Sequence, residues 1–121
     1  EIEELKSLIK CNFLETIYLQ NENLTSKLID SILNSENKNN KLKIAYINLT
    51  NKELAYAKKN DLIKINLNEF NNYPEVKSIF IVTTSGVLNY NQIILLNKFI
   101  KINANKIIGW FYIDYMTKFQ K

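Results

Sequence analysis

The chain reads as a small three-layer α/β sandwich around a mainly parallel, four-stranded, Rossmann-like sheet, with helices leading at the N-terminus. Three observations predict this. Ser78-Ile79-Phe80-Ile81-Val82-Thr83-Thr84 is a continuous apolar, β-branched run, the pattern of a strand buried on both faces. Helical and extended patterns alternate along the chain, which implies right-handed crossovers between parallel strands. A length of 121 residues with 46% apolar residues suits a single domain with one core.

The elements follow in order. Ile2, Leu5, Leu8, Ile9, Phe13 and Ile17 are spaced by threes and fours and predict an amphipathic helix over 2–19, with 16–19 able to fray into extended chain. Leu24, Leu28, Ile29, Ile32 and Leu33 repeat the pattern over 24–34, with Asn23 or Thr25 as the expected N-cap. The polar run 34–40 is a loop. Residues 42–49, Leu-Lys-Ile-Ala-Tyr-Ile-Asn-Leu, predict a strand. Thr50-Asn51-Lys52-Glu53 has the spacing of a capping box and opens a short helix through Lys59, where Lys58 and Lys59 suit the negative end of the helix dipole. Residues 61–67 predict a second short strand, and 68–76 a connection holding Pro74. After the buried strand, Ser85-Gly86 ends the run. Asn89-Tyr90-Asn91-Gln92 imitates a capping box at the head of a helix over 89–103. Residues 106–113 predict the last strand, leaving 114–121 unassigned.

Composition excludes whole classes of chemistry. The chain has no histidine, so a Ser-His-Asp triad and a His-ligated metal are ruled out. One cysteine, Cys11, permits neither an internal disulfide nor an all-cysteine zinc site. Two glycines cannot build the usual phosphate loop. All 16 cations are lysines against 12 acidic residues, a formal charge of +4. Without arginine, and with its lysines scattered, the chain is not expected to read nucleic acid specifically. No run of about 18 apolar residues offers a membrane span. The acidic opening Glu1-Ile2-Glu3-Glu4 is unlike a signal peptide, and the absence of an initiator Met reads as a fragment of a longer protein. A lone cysteine suits a reducing, cytoplasmic compartment.

Ligands of open α/β sheets bind beyond the carboxyl ends of the strands. Thr83-Thr84-Ser85-Gly86 stands at such an end, before a long helix, and its hydroxyls suit an anion. A plain polar connection is the competing account. The loop 48–51, with Asn48 and Thr50, ends the earlier strand and would share that edge, although capping already explains Thr50. Asp114, Glu69 and Glu75 lie near the same edge without spacing that would make a catalytic pair. No catalytic residue, metal site or cofactor is expected. Trp110, Tyr112 and Tyr115 crowd the last strand and its exit. They are a candidate interface if that strand lies at the sheet edge, and core if it lies inside.

The segment from Ser78 to Asp114 combines Ser-Ile-Phe-Ile-Val-Thr-Thr-Ser-Gly-Val, a helix with Gln92 and Leu95-Leu96, and Lys106-Ile107-Ile108-Gly109-Trp110-Phe111-Tyr112-Ile113-Asp114. It resembles the late strand–helix–strand unit of the cytoplasmic ATPase-like domain of bacterial tyrosine autokinases, of the exopolysaccharide chain-length determinant (polysaccharide co-polymerase) family. Walker A and Walker B sequences are missing here, and Tyr112 and Tyr115 only hint at the family's tyrosine-rich tail. The resemblance therefore implies a degenerate, non-catalytic relative on the cytoplasmic side of a membrane-anchored parent chain, acting by self-association or by docking a protein partner. A nucleotide- or small-anion-binding enzyme domain, with its site at the strand-end loops, is the alternative. A receiver-like signalling domain is a third, disfavoured because the strand ending near Leu49 carries Asn48 and Thr50 where a phosphoacceptor Asp would stand.

Overall fold

The computed structural model describes residues 2–18, 22–36, 43–50, 53–68, 74–84 and 89–114. They form α1 (Ile2–Leu8), β1 (Phe13–Tyr18), α2 (Glu22–Glu36), β2 (Lys43–Asn48), α3 (Ala55–Lys59), β3 (Ile63–Lys64), β4 (Val76–Thr83), α4 (Tyr90–Ile102) and β5 (Ile107–Asp114). The five strands make one parallel sheet in the order β1-β5-β4-β2-β3. α1 and α4 pack on one face and α2 and α3 on the other, giving the expected three layers.

β4 is central, and only Lys77 of its eight side chains is exposed. Val76, Ile79 and Ile81 pack with Leu5, Ile9, Ile93, Leu96, Phe99 and Ile100 under α1 and α4. Phe80 and Val82 pack with Ile29, Leu33, Leu54, Tyr56 and Ala57 under α2 and α3. Strands buried on both faces require this continuous apolar character. Phe80 meets Phe111 edge-on at 5.6 Å and stacks against Tyr46 at 5.9 Å, tying β4 to both neighbours on one face.

The four expected strands are joined by a fifth. The predicted helix over 2–19 stops at Leu8, and Phe13–Tyr18 becomes β1. Phe13, Thr16, Ile17 and Tyr18 are aromatic or β-branched, which suits a pleated surface better than a helix. The end of α1 is set by a distant side chain. Asn97 of α4 donates from Nδ2 to the Leu8 carbonyl at 2.9 Å, and its Oδ1 accepts from the Lys10 N–H at 3.0 Å. One amide thus satisfies groups at the end of α1 that would otherwise lack partners and holds α1 against α4.

β1 joins the sheet by a close approach to β5. The Trp110 N–H donates to the Asn12 carbonyl at 2.9 Å. The β4–β5 register jumps from Ile107 to Gly109, and the β1–β5 register from Phe13 to Glu15, so both strands carry an extra residue here. Gly109 has φ +155°, and a Cβ on it would lie 2.5 Å from the Asn12 carbonyl oxygen and 2.7 Å from Leu14 Cγ. Only glycine fits. Trp110 beyond it is fully buried, with its ring edge-on to Phe13 at 4.8 Å.

Other boundaries shift modestly. α2 begins at Glu22, ahead of the expected caps Asn23 and Thr25, and ends at Glu36. α4 has the predicted capping box: the Asn89 side chain accepts from Gln92 N–H at 2.8 Å, and Gln92 accepts from Asn89 N–H at 3.2 Å. α3 differs. It starts after Leu54, which makes no side-chain cap, so the box expected at Thr50 does not form.

Two substitutions test this account by urea denaturation. Gly109→Ala is expected to destabilise the fold by about 2–3 kcal/mol, because the clash is with backbone and a packed leucine. Asn97→Ala is expected to cost about 0.5–1.5 kcal/mol through the lost hydrogen bonds to Leu8 and Lys10, which lie where water can take the amide's place.

Candidate functional site

The topology defines a switch point. From β2 the chain crosses through α3 to β3 on one face, and from β4 through α4 to β5 on the other. The connections leaving β2 and β4 therefore diverge, and the carboxyl ends of these adjacent strands flank the crevice where open α/β sheets take ligands. Asn48 lies in register with Val82, and the Leu49 N–H donates to the Val82 carbonyl at 2.9 Å. The structure thus brings together Asn48, Thr50, Thr83 and Thr84. Ser85, Gly86 and Tyr115 lie outside the described residues.

The polar groups at this edge turn into the protein. Thr84 is buried, and its hydroxyl donates to the Ile113 carbonyl, linking β4 to β5. Thr83 is fully buried, with its hydroxyl 3.5 Å from the Thr84 carbonyl. Both the N–H and the hydroxyl of Thr50 donate to Asn48 Oδ1, at 2.9 and 2.8 Å. This is a local Asx-type turn that closes the loop on itself. Asp114 ends β5 opposite Tyr18 and is half-buried. Glu75 is exposed before β4, and Glu69 lies outside the described residues. Among the described residues, no three His, Cys, Asp or Glu side chains converge where a metal ion would sit.

Three groups elsewhere have shifted ionisation: Cys11, Tyr56, and Tyr46, whose hydroxyl is pushed up by burial and then by the Glu53 carboxylate. Burial pushes the Cys11 thiol up to about 12, so it stays protonated and a poor nucleophile. Burial, with the Asp30 carboxylate that accepts its hydrogen bond at 2.7 Å, pushes the Tyr56 hydroxyl up as well. That bond fastens α3 to α2.

The candidate interface at β5 changes character. β5 lies inside the sheet, so Trp110 is core and presents nothing to a partner. Tyr112 is half-buried against the α1/α4 side. Exposed apolar surface lies instead on α4, where Tyr90, Ile94 and Ile102 are 70%, 42% and 69% exposed. Their spacing of four and eight keeps them along one side of the helix. Lys98 and Lys101 share the outward side. The pattern was visible in the sequence: Ile93-Ile94-Leu95-Leu96 is more apolar than one buried helix face requires.

No protein-family model, curated protein or solved structure matches the chain. No described helix is long and apolar enough to cross a membrane.

Thr84→Val is expected to cost about 1–3 kcal/mol in chemical denaturation, because the buried Ile113 carbonyl loses its donor. Alkaline pH is expected to lower the melting temperature. Cys11 and Tyr56 ionise at higher pH folded than unfolded, so their contribution is complete below the unfolded values of 9.0 and 10.0 and is lost as pH rises through the folded ones. Cys11→Ala should flatten the onset of this decline, read by melts at successive pH values.

Proposed function

We propose that the chain is a non-catalytic α/β regulatory or protein-interaction domain, working through its surface. The observation that carries this reading is the outer side of α4, where Tyr90, Ile94 and Ile102 stand exposed beside Lys98 and Lys101. Apolar side chains grouped on a surface and rimmed by charge favour an interaction site. The strand-end hydroxyls support it from the other side, since those of Thr50 and Thr84 are already spent within the protein.

The parent we propose is a polysaccharide chain-length determinant, with this chain as a cytoplasmic domain that has lost ATP binding. Support comes from the segment 78–114, which folds as the parallel unit β4–α4–β5 and carries the resemblance to that family. The expected partner is a protein or a second copy, with the membrane reached only through another part of the parent chain. A second reading, a nucleotide or small-anion site, is favoured by the switch point between β2 and β4.

A thermal-shift panel with Mg-ATP, Mg-ADP, GTP, nucleotide sugars, NAD and coenzyme A separates the two. A ligand at about one hundred times its dissociation constant stabilises by about 2.7 kcal/mol, an easily seen rise in melting temperature. The interaction reading expects a flat panel; a clear shift with any ligand would replace it with the crevice reading. Ile94→Ser and Ile102→Ser are expected to leave folding stability within about 0.5 kcal/mol of the parent, whereas Ile93→Ala in the core costs about 2–5 kcal/mol by denaturation.

A further inference from the structure

The geometry points to a second site: a small cage at the carboxyl ends of β1 and β5 that takes a primary alkylammonium group. It goes beyond the interaction reading and stands apart from the outer side of α4.

Strand register builds the cage. Thr16 pairs with Tyr112, and Tyr18 with Asp114. Ile17 and Ile113 between them pack into the α2/α3 layer, whereas Tyr112 packs toward α1 and α4. Alternation along each strand therefore puts Thr16, Tyr18, Tyr112 and Asp114 on the α1/α4 side of the sheet. They mark out a rectangle about 4.8 Å across the strands and about 6.6 Å along them. The two tyrosines occupy one diagonal; the threonine hydroxyl and the carboxylate occupy the other. Thr16, Tyr112 and Asp114 are half-buried. β1 is an edge strand and Tyr18 is 57% exposed, so solvent reaches this corner.

Chemistry selects the occupant. The face of a tyrosine ring is electron-rich and attracts a cation within about 6 Å of its centroid. The diagonal is about 8 Å long, so a group at its middle is within reach of both rings. Asp114 supplies the opposite charge, and Thr16 a further oxygen to accept an N–H. The carboxylate disfavours an anion here. One row nearer the amino ends, the chain already uses this combination on itself. The Lys6 ammonium lies 4.6 Å from the centroid of the Phe13 ring and 3.5 Å from the Glu3 carboxylate. Tyr18, Tyr112 and Asp114 repeat the aromatic and acidic parts, with a ligand supplying the ammonium. That ligand is a free amine or the lysine side chain of a partner.

Proton–nitrogen correlation spectra of the labelled chain, titrated with n-butylammonium chloride to about 100 mM at constant ionic strength, test this. The expected result is a saturable shift of the amides of 16–18 and 112–114, with a dissociation constant of about 1–10 mM, and none with n-butanol. Tyr18→Leu and Asp114→Asn should each weaken binding at least about threefold, whereas Tyr18→Phe, which keeps the ring, should stay within about twofold. Circular dichroism melts confirm that these variants fold. The absence of a saturable shift overturns the inference. So does an equal response to n-butanol, a response centred on Phe13 and Lys6, or indifference to both Tyr18→Leu and Asp114→Asn. Tetramethylammonium binding more tightly than n-butylammonium also overturns it, because N–H donors then play no part. Nα-acetyl-lysine amide separates the two sources. Binding about tenfold tighter than n-butylammonium supports the site and assigns it to a partner's lysine; equal binding supports the site and assigns it to a free amine. A blank titration removes the cage and leaves the reading of α4 as it stands.

Discussion

The two-sided burial of β4 is the constraint on which the molecule depends. Its side chains alternate between the α1/α4 layer and the α2/α3 layer, and neither layer has a core without it. A strand with no polar face must be covered twice, and parallel neighbours with helical crossovers supply the cover. β2 and β5 flank it in parallel register, and each extends to an edge strand of a different kind. β3 is two residues long, while β1 has six.

The same arrangement creates the crevice at the carboxyl ends of β2 and β4 and limits what its side chains do. The strands end close together, so polar groups there find partners in the protein. Thr84 reaches Ile113 across the β4–β5 pair, and Thr50 folds back onto Asn48. A hydroxyl at a strand end suggests a ligand in sequence, yet in a tight parallel sheet the adjacent strand's carbonyl is a ready acceptor. Unspent surface lies instead on α4. Its inner side covers β4 and β5 with Ile93, Leu96, Phe99 and Ile100, and further apolar residues remain outside.

Legibility followed the range of the interactions. β4, β5 and the head of α4 were readable because their signals are contiguous: an apolar run, an aromatic run and a four-residue capping box. The start of α3 departs from the expected box because Thr50 has the spacing of a cap but belongs to a turn closed on Asn48, and the helix starts only after Leu54. β1 was hidden because Ile9, Phe13 and Ile17 are spaced as on a helix, while Phe13 to Tyr18 also suits a strand. The strand-end pair Thr83 and Thr84 was located in sequence, and its placement beside Asn48 and Thr50 followed from the parallel order. Trp110 was ambiguous between core and interface until the strand order put β5 inside.

The class of fold, the strand buried on both faces and the capped helix that follows it are all legible in the local pattern of residues. Hydrophobic periodicity and local capping act over a few residues and need no partner from elsewhere. Tertiary structure decided where α1 ends, which strand joins β5, and which side of α4 is left uncovered. Each of these depends on groups far apart in the chain: Asn97 with Leu8 and Lys10, Trp110 with Asn12, Gly109 beneath Leu14. Residues 9–18 suit a helix or a strand on local grounds, so the free energy of these distant contacts made the choice.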